Sequence, residues 1–219
     1  MNAFIDFIMG PMVWISVFFF IGGIVFKLYR IIREAKEKEA FIFSYLSLFH
    51  SLRSIGAWLI PFFPRSTRQQ PVFYGVSYLF HLGLFVVPLF LSAHVVLIEE
   101  AFNISWPVLN DTLADIATVL IISALVFFGG RRIIVPEIKF LTSAKDFGLL
   151  LIVLLPFLTG FLAYHQVFAY QWMMIVHILS GEFMLIMIPF SRFSHMIFAP
   201  LTRAYTGSEF GNVKHARDW

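Results

Sequence analysis

Five apolar stretches, each long enough for a membrane-spanning helix, set the strongest limit on how this chain can fold. A bilayer's hydrocarbon core is about 30 Å thick, and a helix needs about 20 apolar residues to cross it. Of the 219 residues, 59% are hydrophobic and only 13% are charged. We predict an all-α integral membrane protein, a single membrane domain over 1–219 built as a bundle of five transmembrane helices. The predicted spans are residues 4–28, 72–98, 113–130, 147–164 and 171–192.

The positions of the basic residues predict the orientation. Of the 16 lysines and arginines, eight lie in 27–68, four in 131–145 and four in 192–217. With the N-terminus outside and the C-terminus inside, all 16 fall on the cytoplasmic side, which is the positive-inside pattern. We therefore expect a multi-pass protein of a bacterial inner membrane, with residues 194–219 as a polar cytoplasmic tail.

The segment between the first two spans has two parts. Residues 29–41 carry alternating charges at helical spacing, which predicts an extension of the first helix. Residues 41–64 are apolar but contain His50, Arg53 and two prolines, and they lie between basic clusters. We predict an amphipathic interfacial helix on the cytoplasmic side, at about 41–64, rather than a sixth span.

The absence of cysteine limits the possible cofactors. It excludes disulfides, thiolate-bound zinc, iron–sulfur clusters held by this chain, and covalent haem attachment, which needs a C-x-x-C-H motif. A haem bound here must therefore be haem b, held by side chains alone.

Two histidines flanking one apolar stretch are candidates for cofactor binding, and the other interpretation of this stretch alone is one histidine at each membrane interface with no ligand. His177 and His195 are 18 residues apart. In a continuous helix that spacing is about five turns, so both rings would leave one face roughly 27 Å apart. Neutral imidazole is a good iron ligand. Gly181, on the same face, would let a flat ring approach the backbone.

The second span supplies partners for both histidines. It runs from inside to outside, which places His81 near the cytoplasmic face and His94 near the external face. Antiparallel neighbours then pair His94 with His177 and His81 with His195, as axial ligands of two haems. The other interpretation is that four unrelated histidines satisfy local hydrogen bonds.

The spacing within the second span fits this pairing less directly. The 13 residues from His81 to His94 place the two side chains about 140° apart on a helix. A kink at Pro88, between them, would rotate one half of the helix against the other. His165, at the external end of the fourth span, is the substitute ligand for His94.

Residues 177–205, HILSGEFMLIMIPFSRFSHMIFAPLTRAY, combine a helix histidine, a nearby glycine, PFSR, a second histidine and a proline. This pattern resembles the end of the cytochrome b (gamma) subunit of respiratory nitrate reductases. The resemblance is closer to the DsrM and TmcC types of membrane subunit in sulfate-reducer transmembrane redox complexes. PFFPRSTRQQP and RRIIVPEIKFLTSAKDFGLLL also look like that branch, and the resemblance covers most of the chain.

The resemblance implies five spans, two b haems and exchange with menaquinone. The implied partners are a cytoplasmic iron–sulfur subunit related to heterodisulfide reductases and a periplasmic multihaem cytochrome c, in a lipid bilayer and without nucleic acid. The expected function is that of a di-haem b electron-transfer subunit in a menaquinone-linked oxidoreductase complex of anaerobic respiration and sulfate reduction. The alternative is a haem-free membrane anchor or a small transporter, although no inverted repeat of broken helices is visible.

Four further polar residues are candidates in this scheme. Arg192, three residues before His195, is placed to bind a propionate of the inner haem, or else anchors the helix end at the membrane surface. Glu182, inside the fifth span, would pass protons to a quinone or hydrogen-bond a neighbouring helix. Arg131 and His165 are the other quinone candidates, and their alternative roles are an interfacial anchor and an interfacial loop residue.

Overall fold

The computed structural model describes residues 2–219, and every regular element in that range is helical. Five helices in the range are long and apolar enough to cross a membrane, which confirms the prediction of an all-α membrane protein with five spans. They are Ala3–Lys38, Pro71–Phe90, Asp111–Ile134, Ala144–Tyr164 and Tyr170–Phe190.

The α-helices of the described range are numbered in chain order. They are α1 (Asn2–Met9), α2 (Pro11–Lys38), α3 (Ile42–Tyr45), α4 (Leu48–Leu59), α5 (Pro71–Phe90), α6 (Ser92–Phe102), α7 (Asp111–Ile134), α8 (Pro136–Leu141), α9 (Ala144–Tyr164), α10 (Tyr170–Phe190) and α11 (His195–Ser208). Two 3₁₀ turns, Arg65–Gln69 and Arg192–Ser194, and a π-helical turn, Glu209–Val213, accompany them.

The chain packs into two compact units. The central unit is Gly75–Gly181, and the terminal unit combines Glu182–Trp219 with the described part of residues 1–74. The prediction of a single membrane domain over 1–219 is not tested by this division and stays a prediction.

The first apolar stretch forms two consecutive helices. Pro11 begins α2 directly after the break, because proline is well suited to the first helical position, where an N–H has no partner within the helix. α2 continues to Lys38, which confirms that the charged segment extends the first helix. Two exposed i,i+4 ion pairs line this extension, and such pairs contribute little individually.

The predicted second span is wrong in one respect, because it is not one helix. Leu91, in an extended conformation (φ −68°, ψ 133°), separates α5 from α6. Pro88, in the last turn of α5, has no N–H to donate to the preceding turn and so weakens the helix just before the break. His94 therefore lies on a different helix from His81.

A second break separates His177 from His195. Pro189 lies in the last turn of α10, and the next residue but one, Ser191, is extended (φ −124°, ψ −169°). The hydroxyl of Ser191 accepts a hydrogen bond from the N–H of Phe193 at 3.2 Å, which starts the next turn. The prediction that both histidines leave one face of a continuous helix is therefore wrong.

The stretch 41–64 forms α3 and α4, and neither belongs to the candidate spans of the described range. This agrees with the prediction that it does not cross the membrane, and its interfacial position stays a prediction.

The C-terminal tail is folded rather than a loose polar segment, because α11 packs along α4. A Cβ on Gly207 would lie 2.4 Å from the Cβ of Ser54 and 2.7 Å from the carbonyl oxygen of His50, so only glycine allows this approach.

Polar side chains join α4 to the C-terminal segment. The hydroxyls of Ser51 and Ser208 are 3.0 Å apart, and the hydroxyl of Ser54 donates to Oδ2 of Asp218 at 2.6 Å. The same carboxylate, only 3% exposed, lies 3.7 Å from Nη1 of Arg203. We call Ser51, Ser54, Ser208 and Asp218 the serine cluster. Its mutual hydrogen bonds hold the tail on α4.

The central unit is held by close packing of α5, α7 and α9. Ile121 of α7 is 1% exposed and occupies the space beside Gly83 of α5, where a Cβ would lie 2.8 Å from Cγ1 of the isoleucine. Asp146 caps the start of α9 together with Ser143 and lies 3.9 Å from Nη1 of Arg132 at the end of α7. These contacts fix the helices that carry the candidate site.

Candidate functional site

The break between α5 and α6 leaves backbone carbonyls that a continuous helix would satisfy internally. Each of the last four carbonyls of α5 accepts a hydrogen bond from a donor beyond that helix. The bonds are Leu91 N–H to Val87 O (3.1 Å), His94 Nδ1 to Pro88 O (2.8 Å), Trp106 Nε1 to Leu89 O (2.7 Å) and Leu109 N–H to Phe90 O (2.8 Å). The break is therefore a fully hydrogen-bonded feature of the fold, since an unpaired buried carbonyl is costly.

The side chain of His94 supplies one of the four hydrogen bonds at the break. Its Nδ1 lies 2.8 Å from the carbonyl oxygen of Pro88. A carbonyl oxygen can only accept, so Nδ1 carries a proton, and in the neutral ring the lone pair is then on Nε2. The bond also fixes the orientation of the half-buried ring.

His177 is held in the same way by the neighbouring helix α9. Its Nδ1 donates to the carbonyl oxygen of Pro156 at 2.9 Å, which again leaves the lone pair on Nε2. Gly160 makes room for the ring, because a Cβ there would lie 2.8 Å from Cε1 and 2.9 Å from Nδ1 of His177. A proline carbonyl and a glycine, four residues apart on α9, thus form the seat of this histidine.

The two rings face each other, so the structure brings together the residues that antiparallel packing of the second and fifth spans predicts. The centroids of His94 and His177 are 6.0 Å apart, and the ring planes differ by 8°. His177 is seven residues from the start of α10. The site therefore lies about 10 Å inside the apolar span. We call these two residues the histidine pair.

The histidine pair presents two unused acceptors. Within residues 2–219 no side chain or backbone group donates a hydrogen bond to either Nε2. Two neutral imidazole nitrogens in an apolar surround can accept protons or coordinate a cation. No larger group of three or more His, Asp or Glu side chains that could hold a metal ion forms in the described range. Binding of two b haems or of menaquinone is not tested by these contacts, and both stay predictions.

The second predicted pair lies in two separate parts of the fold. His81 is halfway along α5 rather than near the N-terminal end of that helix, and its Nδ1 donates to the carbonyl of Ser77 at 2.7 Å. His195 is the first residue of α11, beyond the last candidate span, and its Nδ1 donates to the carbonyl of Arg192 at 2.8 Å. The two histidines belong to different compact units, and their pairing stays a prediction.

The remaining candidates have varied surroundings. Nε2 of His165 lies 3.1 Å from Oδ1 of Asp115, so this histidine has its own partner in the central unit. A Cβ on Gly181 would meet no described atom within 4 Å, which leaves that side of α10 open. Arg131 is half-buried and Arg192 is exposed. The binding roles of these residues stay predictions.

Glu182 is a buried carboxyl group within the fifth span. It is 4% exposed, and neither carboxyl oxygen has a hydrogen-bond partner among residues 2–219. The predicted alternative, a hydrogen bond to a neighbouring helix, is therefore not seen. A carboxyl group in this state must be protonated or accompanied by a cation, because an isolated buried charge is very costly.

Sequence reasoning missed three residues of the site. Leu91, at the break, has no distinctive side chain, and the only signal nearby is Pro88. Pro156 and Gly160 both lie within α9, which continues through them, and they make the place in which the ring of His177 is held. The four-residue separation of proline and glycine on one helix face was the signal that could have been used.

Comparisons with known proteins place the chain in a family. Residues 3–213 match the SBF-like CPA transporter family (DUF4137). A protein of Nitratidesulfovibrio vulgaris (strain Hildenborough), which bears only the name "Protein", is 37% identical over 212 residues, covering 93% of this chain and 92% of that protein. No solved structure matches the chain.

This match corrects the resemblance to cytochrome b subunits and the function drawn from it. The assignment as a di-haem electron-transfer subunit of sulfate respiration is wrong, and so are the iron–sulfur and cytochrome c partners that the resemblance implied. Ionisable residues within apolar helices, and helices interrupted by glycine or proline, are also features of transporter sites, so the pattern does not distinguish haem ligation from solute binding. The alternative of a small transporter agrees with the match, which covers nearly the whole chain: the chain belongs to the SBF-like CPA transporter family.

Proposed function

We propose that this protein is a multi-pass membrane transporter that carries a small cation in exchange for protons. The observation that carries the proposal is the broken α5–α6 helix, whose second half holds His94 against His177. Non-helical backbone at membrane depth is tolerated where it is packed in protein or lines a cavity. Discontinuous helices of this kind form the solute sites of many transporters.

The chemistry of the histidine pair supports a cationic solute. Both Nδ1–H groups are used by backbone carbonyls, so each ring in its neutral form offers the lone pair of Nε2 to a ligand. A cation or a proton can occupy such a lone pair, but both cannot do so at once. Competition for one acceptor is the simplest way to couple cation movement to proton movement in opposite directions.

Glu182 supports the same coupling in the terminal unit. Its buried carboxyl group has no hydrogen-bond partner among the described residues, so it is stable as the neutral acid or beside a cation. Exchange between these two states gives a carrier a site that never holds an isolated charge within the membrane.

We also propose a bacterial inner-membrane location with the N-terminus outside. Five successive crossings must alternate in direction, and with the N-terminus outside this arrangement would put all 16 lysines and arginines on the inner side. Because the chain has no cysteine, single-cysteine variants can test it. In intact cells a membrane-impermeant maleimide should label Val108→Cys and spare Ala216→Cys. Labelling of Ala216→Cys alone would reverse the orientation.

The transport proposal is tested with purified protein in liposomes that contain a pH-sensitive dye. A pulse of Na⁺ or K⁺ outside should drive protons out of loaded vesicles and raise the internal pH. Glu182→Gln keeps the size of the side chain but cannot ionise, and we expect it to lower the initial rate at least tenfold. Protein incorporation is measured for each preparation.

The control is Glu100→Gln, an exposed carboxylate in α6, which should transport at the wild-type rate. Wild-type liposomes that respond no more than protein-free liposomes to either cation would contradict the proposal. Equal rates for wild type and Glu182→Gln would show that the carboxyl group of Glu182 takes no part in transport.

A further inference from the structure

The terminal unit contains a second polar site, which is lined by charged and aromatic side chains. An open cavity of about 500 Å³ lies between the end of α4, the 3₁₀ turn after it and the C-terminal segment. This volume is within the range of small-molecule sites, about 300–1,000 Å³. The lining residues are Trp58, Arg65, Ser66, Arg203, Thr206, Phe210, Arg217, Asp218 and Trp219.

Three guanidinium groups line this cavity, and they differ in their partners. Arg203 is paired with the carboxylate of Asp218 at 3.7 Å and lies 4.4 Å over the ring of Trp58. Within the described range, Arg65 and Arg217 have no ion-pair or hydrogen-bond partner, and both are exposed. Two unpaired arginines at one cavity, where the only acidic side chain is already paired, form a site for an anion.

The walls of the cavity are well ordered by their own contacts. Asp218 is fixed by the hydroxyl of Ser54 at 2.6 Å, and the ring of Trp219 lies 5.1 Å under the guanidinium of Arg53. Arg68, on the same turn as Arg65, donates to two backbone carbonyls and so holds that turn in place. These contacts hold the turn that carries Arg65 and the two residues that follow Arg217.

We propose that this cavity binds an anionic phosphate group through Arg65 and Arg217. The planar guanidinium forks two N–H donors toward phosphate oxygens, which is the geometry this group favours. The hydroxyls of Ser66 and Thr206 add donors, and the two tryptophan rings give an apolar wall for the carbon skeleton next to the phosphate. The phosphate comes from an anionic lipid headgroup or from a soluble phosphate compound.

Tryptophan fluorescence and native mass spectrometry of delipidated protein test this proposal. Three probes are titrated: short-chain phosphatidylglycerol, short-chain phosphatidylcholine and inorganic phosphate. We expect saturable binding of phosphatidylglycerol or phosphate, at least tenfold tighter than phosphatidylcholine. The variant Arg65→Gln/Arg217→Gln should weaken it roughly 25-fold and each single variant roughly fivefold, the effect of about one basic contact each.

The matched control is Arg30→Gln/Arg33→Gln, which removes two charges from the exposed extension of α2, where each arginine pairs with a glutamate. It should bind like the wild type. Tighter binding of phosphatidylglycerol than of phosphate assigns the site to lipid headgroups, and equal binding assigns it to soluble phosphates. No saturable binding, equal binding of the zwitterionic lipid, or wild-type affinity in the double variant would overturn the proposal. None of these readouts depends on transport.

Discussion

The histidine pair of the central unit and the serine cluster of the terminal unit are both groups of polar side chains within an apolar protein, but they differ in how many of their polar atoms have hydrogen-bond partners. In the serine cluster the polar groups bond to one another and to the backbone, as Ser51, Ser208 and Ser54 with Asp218 show. In the histidine pair each ring is held through Nδ1 while Nε2 has no partner among the described residues. Paired polar atoms, as in the serine cluster, stabilise the fold. The unpaired Nε2 atoms of the histidine pair can bind a ligand.

The largest expected effect comes from the glycine that lets α11 approach α4. In Gly207→Ala the new Cβ would lie 2.7 Å from a backbone oxygen, His50 O, which cannot move aside without displacing α4. We expect a loss of about 3 kcal/mol in the apparent free energy of unfolding, the upper range for overpacking. Thermal unfolding in detergent measures it. The control is Gly56→Ala on α4, where no described atom lies within 4 Å. Equal stability of the two variants would contradict the packing described.

Gly160→Ala should break the histidine pair itself. Its Cβ would lie 2.8 Å from Cε1 of His177, so the ring must move and lose its bond to Pro156. We expect about 2 kcal/mol of destabilisation, together with loss of proton-coupled flux. Gly130→Ala, with no described atom within 4 Å of its Cβ, is the control and should keep both stability and flux.

Ser54→Ala tests whether the serine cluster is purely structural. It removes the hydroxyl that donates to the buried carboxylate of Asp218. Losing one hydrogen bond to a charged group should cost about 1.5 kcal/mol, seen as a lower unfolding temperature. Because the cluster has no role in transport in this account, flux per folded molecule should be unchanged. A lower flux at equal incorporation would mean that the tail contributes to transport.

The smallest effect concerns Glu209, the first residue of the π-helical turn after α11. Its hydrogen bond and ion pair with Lys214, at 2.7 Å, lower the pKa of this carboxyl group. A carboxyl group with a lowered folded-state pKa stabilises the fold above its unfolded pKa of about 4.3, and that contribution is lost as the pH falls through the folded value. Cleavage of the tail by pepsin should therefore accelerate slightly from pH 4.5 downward. In Lys214→Gln this acceleration should be smaller, and an identical pH profile would exclude the ion pair as its cause.

The sequence predicted those parts of the fold that depend on local periodicity. The five spans and the extension of α2 to Lys38 follow from apolar run length and charge spacing, which act within one helix. The facing of His94 and His177 followed from antiparallel order, which also needs no side-chain detail. The resemblance failed because it rested on residue types that many polar sites in helical membrane proteins share.

The features that the sequence did not reveal depend on distant donors and close approaches. The break at Leu91 exists because Trp106 and Leu109, from the following loop, supply the missing hydrogen bonds. The folding of the tail onto α4 depends on the absence of a Cβ at Gly207, and the seat of His177 on its absence at Gly160. No hydrophobic periodicity encodes such contacts.

The most direct test of the central claim is proton-coupled cation flux in liposomes for His94→Gln/His177→Gln beside the wild type. His165→Gln is the control, because that histidine pairs with Asp115 and not with the site. If the unpaired Nε2 atoms bind the transported ion, the double variant should retain less than a tenth of the wild-type rate at equal incorporation, and the control should retain nearly all of it. Wild-type flux in the double variant would contradict the assignment of the histidine pair as the transport site.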